Sequence, residues 1–494
     1  MRIATPLSSF IPDIFTGMSR ESRKFEKALN SASNYQEWFE AATELDRLEG
    51  MDEWRANNES EDYDFRLIAS RTKLIRRLRR RKDYDQLVFR LREELHGNLG
   101  NMANPRLYQH ARSGTKHLIN QYLDEVTAAL NLLCDSDVNI LPPTRKRRFF
   151  NRAARSFGRS ALLLSGGASL GLFHLGVIEK LMMQQLLPKV ITGSSAGAVI
   201  GGFLATHTDE ELELALEPEA IKYQWLKMYT LTQLIKGEGV LDPKQVKRAI
   251  DRNIKNLTFL ESYEKTGRIL NISISPADPN QFPRLLNYLT APNVLIRSAA
   301  LASSAIPGLF PAVQLRARNY AGKSSPYMPQ SRWIDGSVHE DIPKEKVNRL
   351  HNVNHYIVSQ TNPHVVPFLS DEGDRTGLVP FLQDIAVRGP MIQVEHLLEM
   401  AHRHFDVPGL GSVIKKAHAI MRQTYSGDIT IYPSRQDFSK VLTNVSADDA
   451  RLVMDAGRRA TWPKIERIRN TTQISRTFEA CLDRLAERYQ YVKR

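Results

Sequence analysis

The sequence predicts an α/β core carried between two mainly helical regions, and three observations predict it. Strand and helix patterns alternate from residue 158 to about 365, as a sheet flanked by helices requires. Before about 155 the pattern is helical and heavily charged. After 365 it is helical again from 378 to 425, with closing helices expected over Ser446 to Arg459 and Ile474 to Tyr489. The expected organisation is therefore a helical N-terminal domain over 1–155, an α/β domain over 156–365 and a mainly helical region over 366–494.

Composition agrees. A chain of 494 residues with 42% hydrophobic and 25% charged residues is an ordinary globular mixture with room for two or three domains. The stretches Val190 to Ala205 and Leu295 to Val313 are apolar but broken by glycine, or by Arg297, Pro307 and Pro311, so neither reads as a membrane span. Two cysteines, Cys134 and Cys481, have no metal spacing and read as reduced thiols. With no long apolar leader after Met1-Arg2-Ile3, the expectation is a cytoplasmic protein.

In chain order, Ser33 or Asn34 caps a helix through Leu48 that Gly50 ends, and further helices follow over Tyr63 to Lys82, Asp83 to Leu95 and Thr115 to Cys134. Pro142-Pro143 then punctuates the chain before a basic linker, Arg145-Lys146-Arg147-Arg148-Phe149-Phe150. A second basic cluster runs from Arg76 to Lys82 and accounts for part of the net charge of +13. Such clusters serve nucleic acid, an anionic membrane surface or plain solvation. The expectation for 145–150 is a membrane surface, with Phe149 and Phe150 at the interface, and no nucleic-acid partner.

The chemistry-bearing residues lie in the middle region. Ala161 to Ser165 reads as a buried strand, and Gly166-Gly167-Ala168-Ser169-Leu170-Gly171 follows it before a helix to about Leu187. A glycine-rich strand-to-helix turn offers a nest of N–H donors suited to an oxyanion. A dinucleotide fingerprint is the rival, but the middle glycine is replaced by Ala168 and no acidic residue closes a strand about twenty residues on. The strand Val190-Ile191-Thr192 leads into Gly193-Ser194-Ser195-Ala196-Gly197 and then an apolar helix. That frame suits a nucleophile elbow, with Ser195 on a tight strand-to-helix turn. Trp333-Ile334-Asp335-Gly336-Ser337 ends a short strand in an aspartate able to aim its carboxylate at a site, although the same pattern fits an ordinary turn. Upstream, Ala300 to Pro311 is a small-residue helix broken by two prolines. Strands are also expected at Ile269 to Ser275, His355 to Gln360 and Ile429 to Pro433, and Tyr223 to Leu241 is a candidate lid or acyl-chain wall.

Taken together, GGASLG, GSSAG, ASSAIPGLFP and DGS resemble the patatin-like phospholipases. Phe173-His174-Leu175-Gly176-Val177 and the run Asp335 to Pro343 are most similar to the triacylglycerol-lipase branch, as are Tyr35 to Ala42, Leu45-Asp46, Leu48 to Gly50 and Trp54 in the N-terminal region. The resemblance covers about 20–360. It implies a three-layer α/β/α core and a serine–aspartate dyad, with Ser195 as nucleophile and Asp335 as base. It places the oxyanion hole at Gly166, Gly167, Ala168 and Ser169, and gives Gly171, Gly193, Gly197 and Gly336 the role of motif glycines. It implies neither metal nor cofactor.

The implied reaction is hydrolysis of triacylglycerol, phospholipid or lysophospholipid at a membrane or lipid-droplet surface, through an acyl-enzyme on Ser195. Acyl transfer to a lipid acceptor on the same dyad and a non-catalytic membrane-binding module are the alternatives. Many relatives carry Arg or Lys in the glycine loop where this chain has Ser169-Leu170, which makes a neutral glyceride at least as plausible a substrate as a phospholipid. A Ser-His-Asp triad is also open to the residues alone, since eight of the thirteen histidines follow Asp335. His174, after the glycine loop, reads as a satisfied core histidine. The resemblance decides for the dyad.

Overall fold

A computed structural model describes residues 19–137, 141–216, 243–278, 280–307, 310–338, 340–362, 365, 426–434 and 447–490. The expected lid at Tyr223 to Leu241 and the helical stretch at 378–425 lie outside the described residues. So do His339, His364, His396, His402, His404 and His418.

The N-terminal helices form where capping and amphipathic spacing coincide. They are α1 (Arg20–Ser31), α2 (Tyr35–Leu48), α3 (Met51–Ala56), α4 (Phe65–Arg81), α5 (Tyr84–Glu93), α6 (His117–Asp135) and α7 (Pro143–Phe157). Asn34, Asp64 and Asp83 each accept a backbone N–H of the first turn, at α2, α4 and α5, which satisfies a donor that the helix start would orphan. Proline at 143 opens α7 instead of punctuating a linker, since the missing N–H costs nothing at a first helical position.

This overturns the reading of 145–150. Phe149 and Phe150 are buried, stacked edge-on to each other in the core of the helical region. The Lys146 ammonium is buried too, donating to the Cys134 carbonyl at 3.0 Å and the Ser136 carbonyl at 2.6 Å. At four-residue spacing on α7, the aromatic pair and Ala153–Phe157 make an inward stripe. The basic run was interleaved with core positions, and the expected interface aromatics are packing residues. In the other cluster, Arg76 and Arg79 are tied to Glu125 on α6 at 2.8 and 3.0 Å, and Arg77, Arg80 and Arg81 face solvent.

The sheet has seven strands: β1 (Arg159–Leu164), β2 (Val190–Gly193), β3 (Ile269–Pro276), β4 (Arg284–Leu286), β7 (Trp333–Asp335), β8 (Val353–Ser359) and β9 (Ile429–Ile431). β5 (Arg316–Arg318) and β6 (Ser324–Pro326) form a separate hairpin. The order is β4-β3-β2-β1-β8-β9, parallel from β3 through β9, with β4 antiparallel. The central strands are buried on both faces over nearly all their length, as parallel strands covered by helices require, with Asn271, Ser273 and Ser275 of β3 buried among the isoleucines. This is the patatin-like architecture the sequence predicts, a mixed sheet flanked by helices with helical regions on either side of it in sequence.

One detail of register makes the site. Gly193 of β2 pairs with Ile272 of β3. A strand continuing in that direction would bring residue 195 level with Ile274. The chain instead leaves the sheet at Ser195, and β7 occupies the vacated edge, antiparallel, with Asp335 opposite Ile274. Arg284 of β4 holds the other edge of the same residue.

The last helices tie the regions together. Ala447–Thr461 crosses α8 (Leu172–Met183) at close quarters, through Gly176 and Gly457. A β-carbon at Gly457 would lie 2.2 Å from the Phe173 carbonyl oxygen, and one at Gly176 2.0 Å from that of Met454. Ile465–Gln490 then runs across α6 and α7, placing Ile474, Phe478, Cys481 and Leu485 in the N-terminal core. In return Ala32, Trp38 and Ala42 of the N-terminal region join the core of the sheet domain. A methyl group at the glycine crossing has no room, so Gly457→Ala should lower the thermal midpoint, at a cost of roughly 1–3 kcal/mol. An unchanged melting curve would mean that the two helices do not cross this closely.

Candidate active site

Ser195 ends β2's excursion and precedes α9 (Ala196–Thr206) with φ 50° and ψ −119°, a conformation costly for a side-chain-bearing residue. The surroundings hold it there. Its N–H donates to the Ser303 hydroxyl at 3.0 Å, and that hydroxyl donates to the Ser273 carbonyl at 2.7 Å. Ser303 lies at the end of the helix Ile296–Ser303, so the small-residue run before Pro307 serves as the buttress of the turn. The motif glycines mark the closest backbone approaches. A β-carbon would stand 2.2 Å from the Gly197 carbonyl oxygen at Gly193, 2.1 Å from that of Leu164 at Gly197, 2.1 Å from that of Ser273 at Gly336, and 2.9 Å from the Ala196 methyl at Gly171.

Asp335 is buried at the end of β7. Its Oδ1 accepts the N–H and the hydroxyl of Ser337, each at 2.8 Å, and the Ser195 side chain lies near enough to its carboxyl to favour the ionised form. Burial pushes its pKa up to about 6, against the pull of Ser195 and of the Ser337 hydrogen bonds. Desolvation outweighs three donors here because the group is wholly withdrawn from water.

Gly166 lies against the nucleophile: a β-carbon there would be 3.3 Å from that of Ser195. Its N–H, however, is donated to Asp341 at 2.9 Å. The loop continues through Gly167 into a short turn at Ala168–Gly171 that leads directly into α8. Behind the loop, His174 bridges the Ser165 carbonyl oxygen at 3.0 Å and the Ser359 hydroxyl at 2.7 Å. Burial lowers its pKa to about 4, so it is a neutral, saturated support as its sequence context suggests. His351 bonds Asn271 at 2.8 Å and His355 bonds Ser160 at 3.0 Å; neither histidine is engaged with Ser195 or Asp335.

The structure adds residues that sequence reasoning passed over. Ser303 is one. Asp341 is another, buried within the run Asp335 to Pro343, with its other oxygen accepting the Asn362 amide at 2.6 Å. Nothing in the local spacing of Asp341 foretells the Asn362 amide and the Gly166 N–H that it meets in the fold. Among the described residues no cluster of His, Cys, Asp and Glu could hold a metal. No described helix is long and apolar enough to cross a membrane.

A strained serine beside a buried carboxyl of raised pKa has the parts of a serine–carboxyl acyl-transfer site. Comparison with known proteins identifies the lineage. Residues 162–345 match the patatin-like phospholipase family, and residues 15–155 match a domain of unknown function, DUF3336. The chain is 34% identical to triacylglycerol lipase ptl3 of Schizosaccharomyces pombe, over 96% of this chain and all of that one. It is also 34% identical to triacylglycerol lipase 4 of Saccharomyces cerevisiae and to triacylglycerol lipase SDP1L of Arabidopsis thaliana, over 95% and 93% of its own length. It spans 54% and 58% of those two relatives. The chain belongs to the patatin-like phospholipase family.

The raised pKa of Asp335 has a stability consequence. Its folded value of about 6 stands above the reference 3.8. The stability it lends when uncharged is therefore complete below about pH 4 and lost as pH rises to about 6, a change of roughly 3 kcal/mol. Asp335→Asn removes the ionisation. The variant should gain thermal stability over the wild type as melts move from pH 4 to pH 8, and a constant difference across that range would show that Asp335 is not desolvated.

Proposed function

We propose that this protein is a serine acyl hydrolase of lipid esters, with triacylglycerol as its preferred substrate class and a lipid surface as its working partner. The observation that carries the reading is the strained elbow at Ser195 set beside a buried Asp335 of raised pKa. Asp335 takes the Ser195 proton as the oxygen attacks the ester carbonyl, and returns it to the departing alcohol. Water then attacks the acyl carbon as it gives a proton to Asp335, and Asp335 returns that proton to the Ser195 oxygen as the acid leaves. A pKa of about 6 leaves the carboxylate ionised at neutral pH yet basic enough to draw a proton from a serine in the transition state.

The developing oxyanion faces the glycine loop, where the N–H groups of Gly167, Ala168 and Ser169 are the proposed donors. Gly166 is assigned to shaping the loop, because its N–H is spent on Asp341. Preference for a neutral glyceride is supported by the names of the relatives and by the uncharged Ser169-Leu170 in the loop, which offer no cation to a phosphate headgroup.

The test is fatty-acid release from triolein and from phosphatidylcholine emulsions. Ser195→Ala should abolish release, and Asp335→Asn should cut it by about 10²–10⁴-fold. Wild-type kcat/KM should fall below about pH 6, as Asp335 becomes protonated and can no longer accept. Turnover surviving in folded Ser195→Ala removes the nucleophile from the scheme. A strong preference for phosphatidylcholine would replace the substrate class.

A further inference from the structure

The buried Asp341 has no part in the dyad, yet it touches the oxyanion loop. Its Oδ1 accepts the Gly166 N–H at 2.9 Å, and it lies 3.6 Å from where a Gly166 β-carbon would be, with Ser195 on the same side at 3.3 Å. Its Oδ2 accepts the Asn362 amide at 2.6 Å. Among the described residues Asp335 on β7 is a titratable group acting on it, and its charge opposes ionisation of Asp341. From the elbow the Ser194 hydroxyl faces it, and from the loop and the end of β8 come the uncharged Gly166 and Asn362 groups. On its own segment Glu340 is committed to Lys346, and His174 behind the loop is neutral.

With both carboxyls buried and the charge on Asp335 opposing that on Asp341, the two do not both ionise readily. Nor does a carboxylate belong beside a loop that must receive negative charge, since like charges repel strongly where water is excluded. Asn362 suits either state: its NH₂ donates to a carboxylate, and with the amide turned over its oxygen accepts from a carboxylic acid.

Resting on the dyad reading above, we propose that Asp341 is a positioning residue whose uncharged form is the working one. As an acid it holds Gly166, and with it the oxyanion loop, at no electrostatic cost to the oxyanion. As a carboxylate it sets a negative charge against the loop and shuts the site down at alkaline pH. Burial, reinforced by Asp335, raises its pKa to about 7, so the transition falls within reach of ordinary buffers.

The experiment follows the rate at which a fluorophosphonate probe labels Ser195, read by mass spectrometry across pH 5–10. The probe's phosphorus bonds to the serine oxygen as fluoride leaves, so the measurement needs no identified lipid. In the wild type the rate should drop at least tenfold between pH 7 and pH 9. In Asp341→Asn, which keeps the acceptor for Gly166 without the charge, the ratio between those two pH values should approach one, whatever the rate itself. Asp341→Ala, with the Gly166 N–H orphaned, should label slowly at every pH. An alkaline fall unchanged in Asp341→Asn overturns the proposal, as does a folded Asp341→Asn that no longer reacts at any pH. So does an Asp341→Ala that labels like the wild type. Asp335→Asn separates the two ideas: fast labelling in that variant sinks the dyad and leaves the Asp341 comparison standing on its own.

Discussion

The turn at Ser195 is the constraint from which the rest of the site follows. A residue with a side chain is held at φ 50° only if its neighbours leave it no relaxed alternative. Here Gly193 and Gly197 close to contact distance of their backbone neighbours, and Ser303 ties down the Ser195 N–H. Leaving the sheet at that point frees one edge of β3 from Ile274 onward, and the free edge receives β7 and with it Asp335. Ser195 and Asp335 meet because one strand stops where another begins. Their proximity is thus a property of the register, and every element that fixes the register is part of the site.

Burial explains the electrostatics. Asp335 and Asp341 arrive on one short segment and are both withdrawn from water, so each is held above its ordinary range, and the charge on Asp335 adds to the cost of charging Asp341. Hydrogen-bond donors at Ser195, Ser337, Gly166 and Asn362 temper that effect without cancelling it. Such a pair is expensive to bury, which marks the segment as a candidate for chemistry.

Much of this was legible in the sequence because short-range signals and long-range fold agreed there. The caps at Asn34, Asp64 and Asp83, the glycine turns, the apolar strands and the order of Ser195 and Asp335 all declare themselves locally. Where a residue's meaning depends on a distant partner, the sequence was silent or misleading. Phe149 and Phe150 sit among arginines and read as surface; their partners, among them Phe478, lie over three hundred residues away. Ser303 looked like filler in a small-residue helix until the elbow came against it. Asp341 owes its setting to Asn362 and Gly166, neither of them near it in the chain. Hydropathy and spacing carry no record of such encounters.

The interlocking of the two cores sets an order on how the molecule can be made. α6 and α7 offer an apolar face that the helix Ile465–Gln490 covers, and that helix is translated roughly 300 residues after α7 ends. At ribosomal speeds of about 5–20 residues per second, the face stays bare for on the order of 15–60 s while the sheet is being synthesised. The N-terminal region therefore waits, partly assembled, for a strap that comes last. During biosynthesis it has the character of a chaperone client, and a ribosome that stalls before the strap releases a chain with neither core closed.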